Sequence, residues 1–188
     1  HEKDLKIDSG HMMVISPDEG GMTRAIYIAN VLGLDMGMFY KRRDYTRVVN
    51  GRNPIVAHEF LGTSVEGKDM IIIDDMISSG ESVLEVAAAL KERKANKIFV
   101  FATFGLFTSG LEKLDNAFAS GIITKVLTTN LIYQTPELLK REWYVTCDMS
   151  KYIAYIIDTL NHDSSISDLL NPNERIQSIV AKYKKGEL

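Results

Sequence analysis

Cysteine is almost missing: Cys147 stands alone among 188 residues. No disulfide can form within such a chain, and a reducing cytoplasm is the expected compartment. Histidine is sparse as well. His1, His11, His58 and His162 are scattered and share no metal-site spacing with one another or with Cys147, which argues against zinc and leaves each as an ordinary polar residue. No apolar stretch is long enough to span a bilayer, and the first residues lack a signal-peptide pattern. Internal repeats, low-complexity tracts and clear interdomain linkers are also absent. What is present suits a soluble globular protein, with 45% hydrophobic and 25% charged residues. The length fits one domain over residues 1–188 with its own core, residues 149–188 forming a C-terminal helical segment.

The most informative stretch runs from Ile71 to Ser82. The apolar run ending at Ile73 reads as a strand buried on both faces of a parallel sheet. Asp74 and Asp75 then fall at its carboxyl end, where open α/β sheets gather ligands, and carboxylates there accept from sugar hydroxyls. Ser78, Ser79, Gly80, Glu81 and Ser82 lead into a helix starting near Ser79, whose apolar positions Val83, Leu84, Val86, Ala87 and Leu90 recur at helical spacing. Free N–H groups at a helix start, and a glycine permitting close backbone approach, suit a phosphate. A solvated Asp-Asp turn beside a serine N-cap would explain either half alone. Both halves in one strand-loop-helix unit point to a phosphorylated ribose.

That segment resembles the phosphoribosyl-diphosphate loop of the type I phosphoribosyltransferase fold. Three further segments are similar, in the same order, to the C-terminal half of ribose-phosphate pyrophosphokinases. Ser16-Pro17-Asp18-Glu19-Gly20-Gly21 resembles the family motif whose aspartate helps hold magnesium, a role that falls on Asp18. Phe39-Tyr40-Lys41-Arg42-Arg43 resembles the start of the family's catalytic loop, in which a Lys-x-Arg pair, here Lys41 and Arg43, clamps the transferred phosphates. Ala102 to Gly110 resembles the strand-to-loop element near the nucleotide. Ser165 and Ser167 match a C-terminal Ser-x-Ser segment that in the family contributes to an allosteric site, although a serine-rich turn capping a short helix reads equally well.

The residues are consistent with these implied roles. Magnesium prefers oxygen ligands and retains waters, so a single protein carboxylate beside substrate oxygens is an ordinary site. Between Lys41 and Arg52 lie five basic residues and one acid, in a chain whose net charge is -3. Such a loop focuses anions and can close as a lid over phosphates. A solvated basic loop is the plainer alternative, and nucleic-acid binding ranks below both because no recognition helix accompanies it.

Strand and helix patterns alternate along the rest of the chain: Asp69 to Ile73, Val83 to Lys94, Lys97 to Thr103, Leu111 to Ser120, Lys125 to Thr128 and Glu142 to Cys147. The fold class expected is therefore α/β, a flavodoxin-like, mostly parallel sheet flanked by helices. Met149 to Leu160 repeats apolar residues at helical spacing and is expected in the core or at a subunit contact. Thr128-Thr129-Asn130 ends a strand near the same crevice, and Lys182 to Lys185 reads as a solvated helix end.

The resemblance implies transfer of the diphosphoryl group of ATP to ribose 5-phosphate, in a homo-oligomer, by a chain that is the second of two domains and inactive alone. Two departures stand out. Ser78 replaces a third acid of the phosphate loop, with the glycine one place earlier, and Phe104 replaces a histidine. A base phosphoribosyltransferase and a non-catalytic regulatory subunit of the synthetase are the alternatives.

Overall fold

The computed structural model describes residues 5–43 and 55–187, and of residues 41–43, 55–58 and 168 only the main chain. Seven strands form one sheet: β1 (Met12–Ser16), β2 (Asp35–Arg43), β3 (Ile55–Leu61), β4 (Asp69–Ile77), β5 (Ile98–Gly105), β6 (Lys125–Thr129) and β7 (Tyr144–Cys147). Their order across the sheet is β3-β2-β1-β4-β5-β6-β7. Every neighbouring pair is parallel except β2 with β3. The parallel strands thus follow the flavodoxin-like order, with one antiparallel strand added at the edge.

Alternation along the central strands divides the core into two layers. Met12 and Val14 of β1 and Ile71 and Ile73 of β4 pack with Ala25 and Ala29 of helix α1 (Met22–Leu32). Met13, Ile15, Met70 and Ile72 face the other way, against Val83, Val86 and Leu90 of α2 (Glu81–Glu92) and Leu114 of α3 (Glu112–Ala119). Uninterrupted apolar sequence is what a strand covered on both faces requires. Short α4 (Pro136–Leu139) follows β6, and α5 (Ser150–Asn161), α6 (Ser167–Leu170) and α7 (Asn173–Lys184) follow β7. α7 lies against α1, where Tyr27 donates a hydrogen bond to Asn173 at 2.7 Å.

The structure departs from the sequence reading in four places. β4 does not stop at Ile73 but continues to Ile77, because β5 runs beside it as far as the Ile77–Gly105 pair. α2 begins at Glu81 rather than near Ser79, since Gly80 at φ 83° is left-handed and cannot belong to the helix. Lys41 to Arg43, expected to open an irregular loop, are strand residues paired with β3; the rest of that expected lid, residues 44–54, lies outside the described residues. Finally, α5 contributes no buried residue: Ile157 is 62% and Leu160 57% exposed. Its apolar stripe is therefore not core. Lys182, Lys184 and Lys185, by contrast, lie exposed at the end of α7, as expected, while Tyr183 between them is half-buried against Leu5.

The β2–β3 hairpin is anchored by the Phe60 ring. Gly37 lies under it, so that a Cβ on Gly37 would fall 2.6 Å from Phe60 Cζ and 2.7 Å from Cε2. The ring cannot swing aside, because Phe39 (5.3 Å between ring centroids), the Arg93 guanidinium (5.9 Å) and Gly62 enclose it. Gly37→Ala is therefore expected to cost about 1–3 kcal/mol by overpacking. Urea denaturation checks this: the midpoint should fall at unchanged slope, and most of the loss should disappear in a Phe60→Ala background.

Candidate functional site

β1 and β4 are adjacent, yet the chain leaves β1 through α1 towards β2 and leaves β4 through α2 towards β5. The two helices lie on opposite faces, so a crevice opens at the carboxyl ends of β1 and β4, the switch point at which such sheets bind ligands. Asp18, Asp74, Asp75 and Arg24 meet there. Asp18 follows β1. Its Oδ1 accepts from the Gly21 N–H at 3.0 Å, and its carbonyl accepts from the buried Ser16 hydroxyl at 2.7 Å. These bonds fix the loop at the start of α1 and leave the rest of an exposed carboxylate facing outward.

Asp74 and Asp75 differ sharply in surroundings. Asp74, with 24% of its side chain exposed, accepts from the Asp75 N–H at 2.8 Å; Asp75 is 68% exposed. Burial, a hydrogen bond shared with Asp75, and repulsion from Asp75 and Asp18 push Asp74 up to about 6. Asp75 moves the other way, held below the usual carboxylate range by the hydrogen bond with Asp74 and by the charge of Arg24. Arg24 on α1 spans the pair, Nη1 lying 3.9 Å from Asp74 Oδ1 and Nη2 3.8 Å from Asp75 Oδ2.

The following loop takes its shape from the end of β5. The Leu106 and Phe107 N–H groups donate to the Ile77 carbonyl at 2.8 and 3.4 Å, and Thr108 N–H donates to the Ser78 carbonyl at 3.0 Å. Ser78 and Thr108 hydroxyls are 3.5 Å apart. Ser79 Oγ accepts from the Glu81 N–H at 3.4 Å, and Ser82 is the second residue of α2. Left-handed Gly80 turns this main chain into a helix start with no side-chain cap, the form of an anion cradle. The Glu81 carboxylate, whose charge would oppose an anion, is paired with Lys113 of α3 and held low by that hydrogen bond.

Thr103 and Thr129 form the back wall, with Thr129 Oγ1 donating to the Thr103 carbonyl at 2.6 Å. With Arg24 and Asp74 they are the polar members of an otherwise apolar cleft of about 320 Å3, lined also by Ile28, Leu32, Ile71, Ile73, Phe101 and Leu127 and reaching Cys147, which adjoins the crevice without including Asp18, Asp75 or the 78–82 loop. Asn130 donates to Asp148 at 2.7 Å and accepts from the Met149 N–H at 2.8 Å, tying the β6 end to the start of α5. The strand end foreseen at Thr128 to Asn130 thus sits at this edge of the sheet, and Phe104 lies there, 37% exposed. β2 is parallel to β1, so the main chain of Lys41 and Arg43 also reaches this edge; their side chains lie outside the description.

Ser165 and Ser167 are not among the residues of this cleft. Their hydroxyls are 2.8 Å apart at the start of α6, and Ser167 N–H donates back to Ser165 Oγ at 3.2 Å. Sequence reasoning overlooked Arg24, Thr108 and Lys113. Thr108 lay within the Ala102 to Gly110 element already singled out, but without a role of its own; Arg24 and Lys113 had no local signal, because the carboxylates they meet are distant in sequence. Among the described residues, no three His, Cys, Asp or Glu converge as a metal cage.

Known proteins resemble this chain in sequence and in fold. Residues 48–171 match the phosphoribosyl synthetase-associated domain. Ribose-phosphate pyrophosphokinase of Vibrio parahaemolyticus is 33% identical over 160 residues, 85% of this chain and 48% of that protein. For the protein of the same name from Pasteurella multocida the figures are 34% over 168 residues, 89% and 50%. The chain thus spans about half the length of these curated relatives. The crystal structure of phosphoribosylpyrophosphate synthetase from Mycobacterium smegmatis superposes with a TM-score of 0.68 at 23% identity, over 81% of this chain and 46% of that one, and shares the fold.

Proposed function

The chain belongs to the ribose-phosphate pyrophosphokinase family, and from that premise we propose that it forms the ribose 5-phosphate half of an enzyme transferring the diphosphoryl group of ATP to the C1 hydroxyl of ribose 5-phosphate. The products are 5-phosphoribosyl 1-diphosphate and AMP. The observation that carries the reading is the pairing of two carboxylates with a braced phosphate cradle at one switch point. Asp74 and Asp75 accept hydrogen bonds from the ribose hydroxyls. The N–H groups and hydroxyls of Ser78, Ser79, Gly80, Glu81 and Ser82 take the 5-phosphate, with Glu81 kept from repelling it by Lys113.

In-line transfer needs alignment and neutralised oxygens more than covalent participation. Lys41 and Arg43, on a strand ending at the same edge, are the cations for the transferred phosphates. Asp18 would hold magnesium. The fit rests on its one exposed carboxylate, since this ion commonly binds through one or two carboxylates beside substrate oxygens. When bound, the ion neutralises charge on the phosphate oxygens. The remaining ATP contacts belong to the half of the relatives' length that this chain does not span, so the chain alone binds sugar phosphate without turnover. A homo-oligomer in the cytoplasm is part of the same proposal.

Titration calorimetry tests it. Ribose 5-phosphate should bind saturably, and Asp74→Ala with Asp75→Ala should abolish the binding heat while the fold, followed by circular dichroism, survives. Binding that persists in the double variant would sink the assignment. Phe104 favours a second reading, a non-catalytic subunit, which binds the sugar phosphate equally but gives no AMP from ATP when the chain is joined to a relative's first domain.

A further inference from the structure

Among the described residues, Arg24 is the one group at the crevice whose contacts the preceding roles leave unexplained. Its guanidinium faces both carboxylates at 3.8 and 3.9 Å, close enough for charge pairing and too far for hydrogen bonds. Its Nη1 is buried and has no hydrogen-bond partner among the described residues. Buried donors without partners are rare, and each one in a native structure calls for an explanation. Arg24 is also stiffly placed. It belongs to the first turn of α1, whose start is fixed through Asp18 and whose outer side is held by α7, where Gln177 bonds the Val31 carbonyl.

We infer that Arg24 is a positioning residue for ligand selection: by spanning Asp74 and Asp75 it holds the two carboxylates in the spacing that accepts a vicinal diol, and so sets the preference for ribose over 2-deoxyribose. The inference rests on the sugar-phosphate reading above. Two adjacent carboxylates repel each other, and a single acceptor would serve a monohydroxyl as well as a diol. A planar fork that faces both at once is the element that fixes their relative placement, and lysine cannot reproduce it. The other charged or titratable groups near Asp74 do not have this geometry. Asp18 repels it, Asp75 shares its hydrogen bond, and Cys147 lies across the cleft.

The test compares ribose 5-phosphate with 2-deoxyribose 5-phosphate by calorimetry on the whole chain and on Arg24→Lys and Arg24→Gln. Hydrogen bonds to charged acceptors predict roughly a tenfold or larger preference for ribose in the parent. Arg24→Gln should reduce it below about threefold, with Arg24→Lys between. A purely structural role would weaken both ligands together and leave their ratio unchanged, and that result overturns the inference while sparing the sugar-phosphate site. If the parent binds neither sugar, both fall. Should Arg24→Gln fail to melt cooperatively, Arg24→Lys alone decides, since a ratio equal to the parent's would show that the fork is not what selects the diol.

Discussion

Trp143→Ala should lower stability by about 3–5 kcal/mol, the range for deleting a large buried aromatic. Trp143 is 1% exposed and meets Phe107 and Tyr144 edge-on, with ring centroids 6.1 and 6.0 Å away. Its indole N–H donates to Asp115 at 2.7 Å, and Asp115 also pairs with Arg141 at 2.9 Å. Truncation leaves a cavity and removes one hydrogen bond from Asp115, which keeps Arg141 and access to solvent, so the cavity carries most of the loss. For a chain of this size the melting temperature should fall by roughly 10 °C. The local consequence bears on ligand binding. Phe107 stands at φ 47° in the loop that braces Ile77, and Trp143 packs against its ring. Trp143→Ala should therefore weaken sugar-phosphate affinity at temperatures where the fold is intact. Full affinity at 10 °C would show that the brace does not depend on this ring.

Asp74→Asn should separate stability from binding. An acid whose value is raised on folding adds stability that is fully present below its unfolded value of 3.8 and is lost as pH rises through about 6. At pH 8 the parent therefore carries the cost of an ionised, half-buried carboxylate, and Asn removes it. The variant should be more stable than the parent at pH 8 by roughly 1 kcal/mol after allowance for solvent screening, and the difference should vanish near pH 4. Ribose 5-phosphate affinity should move oppositely, falling by about tenfold to a hundredfold, because an amide offers one acceptor where the carboxylate offers two. In the parent, affinity should also drop as pH falls through about 6, when Asp74 takes up a proton. The ligand's phosphate titrates near the same pH, so the pH dependence left in Asp74→Asn measures the phosphate's share. Identical profiles in the two proteins would remove Asp74 from the binding step.

The mostly parallel sheet flanked by helices and the strand-loop-helix unit were legible in the sequence, because a doubly covered strand writes itself as an unbroken apolar run and α2 repeats at helical spacing. The ends of elements were less legible. Nothing within Asp74 to Ile77 says that the strand continues; only the partnership with Phe104 and Gly105 on β5 extends it. The β3 strand escaped notice because it is an edge strand whose register depends on β2. Of the two places expected for the apolar stripe of α5, core or subunit contact, the structure removes the first, since helical spacing says that a face is apolar and not that the same chain covers it. At the site, the carboxylates and the cradle declared themselves through local pattern. Arg24 did not, because its meaning comes from a meeting of α1 with β4 that lies fifty residues away in sequence.

The brace on the phosphate loop has a consequence for how such a loop changes over evolutionary time. The contacts from Leu106, Phe107 and Thr108 reach the carbonyls of Ile77 and Ser78, atoms that every residue type possesses. The side chain at position 78 therefore sets the chemical character presented to a ligand, while the path of the chain is held by bonds that do not depend on it. Drift in side-chain identity and retention of loop shape are separable here, so a lineage can try new ligands at this position without first rebuilding the place where they bind.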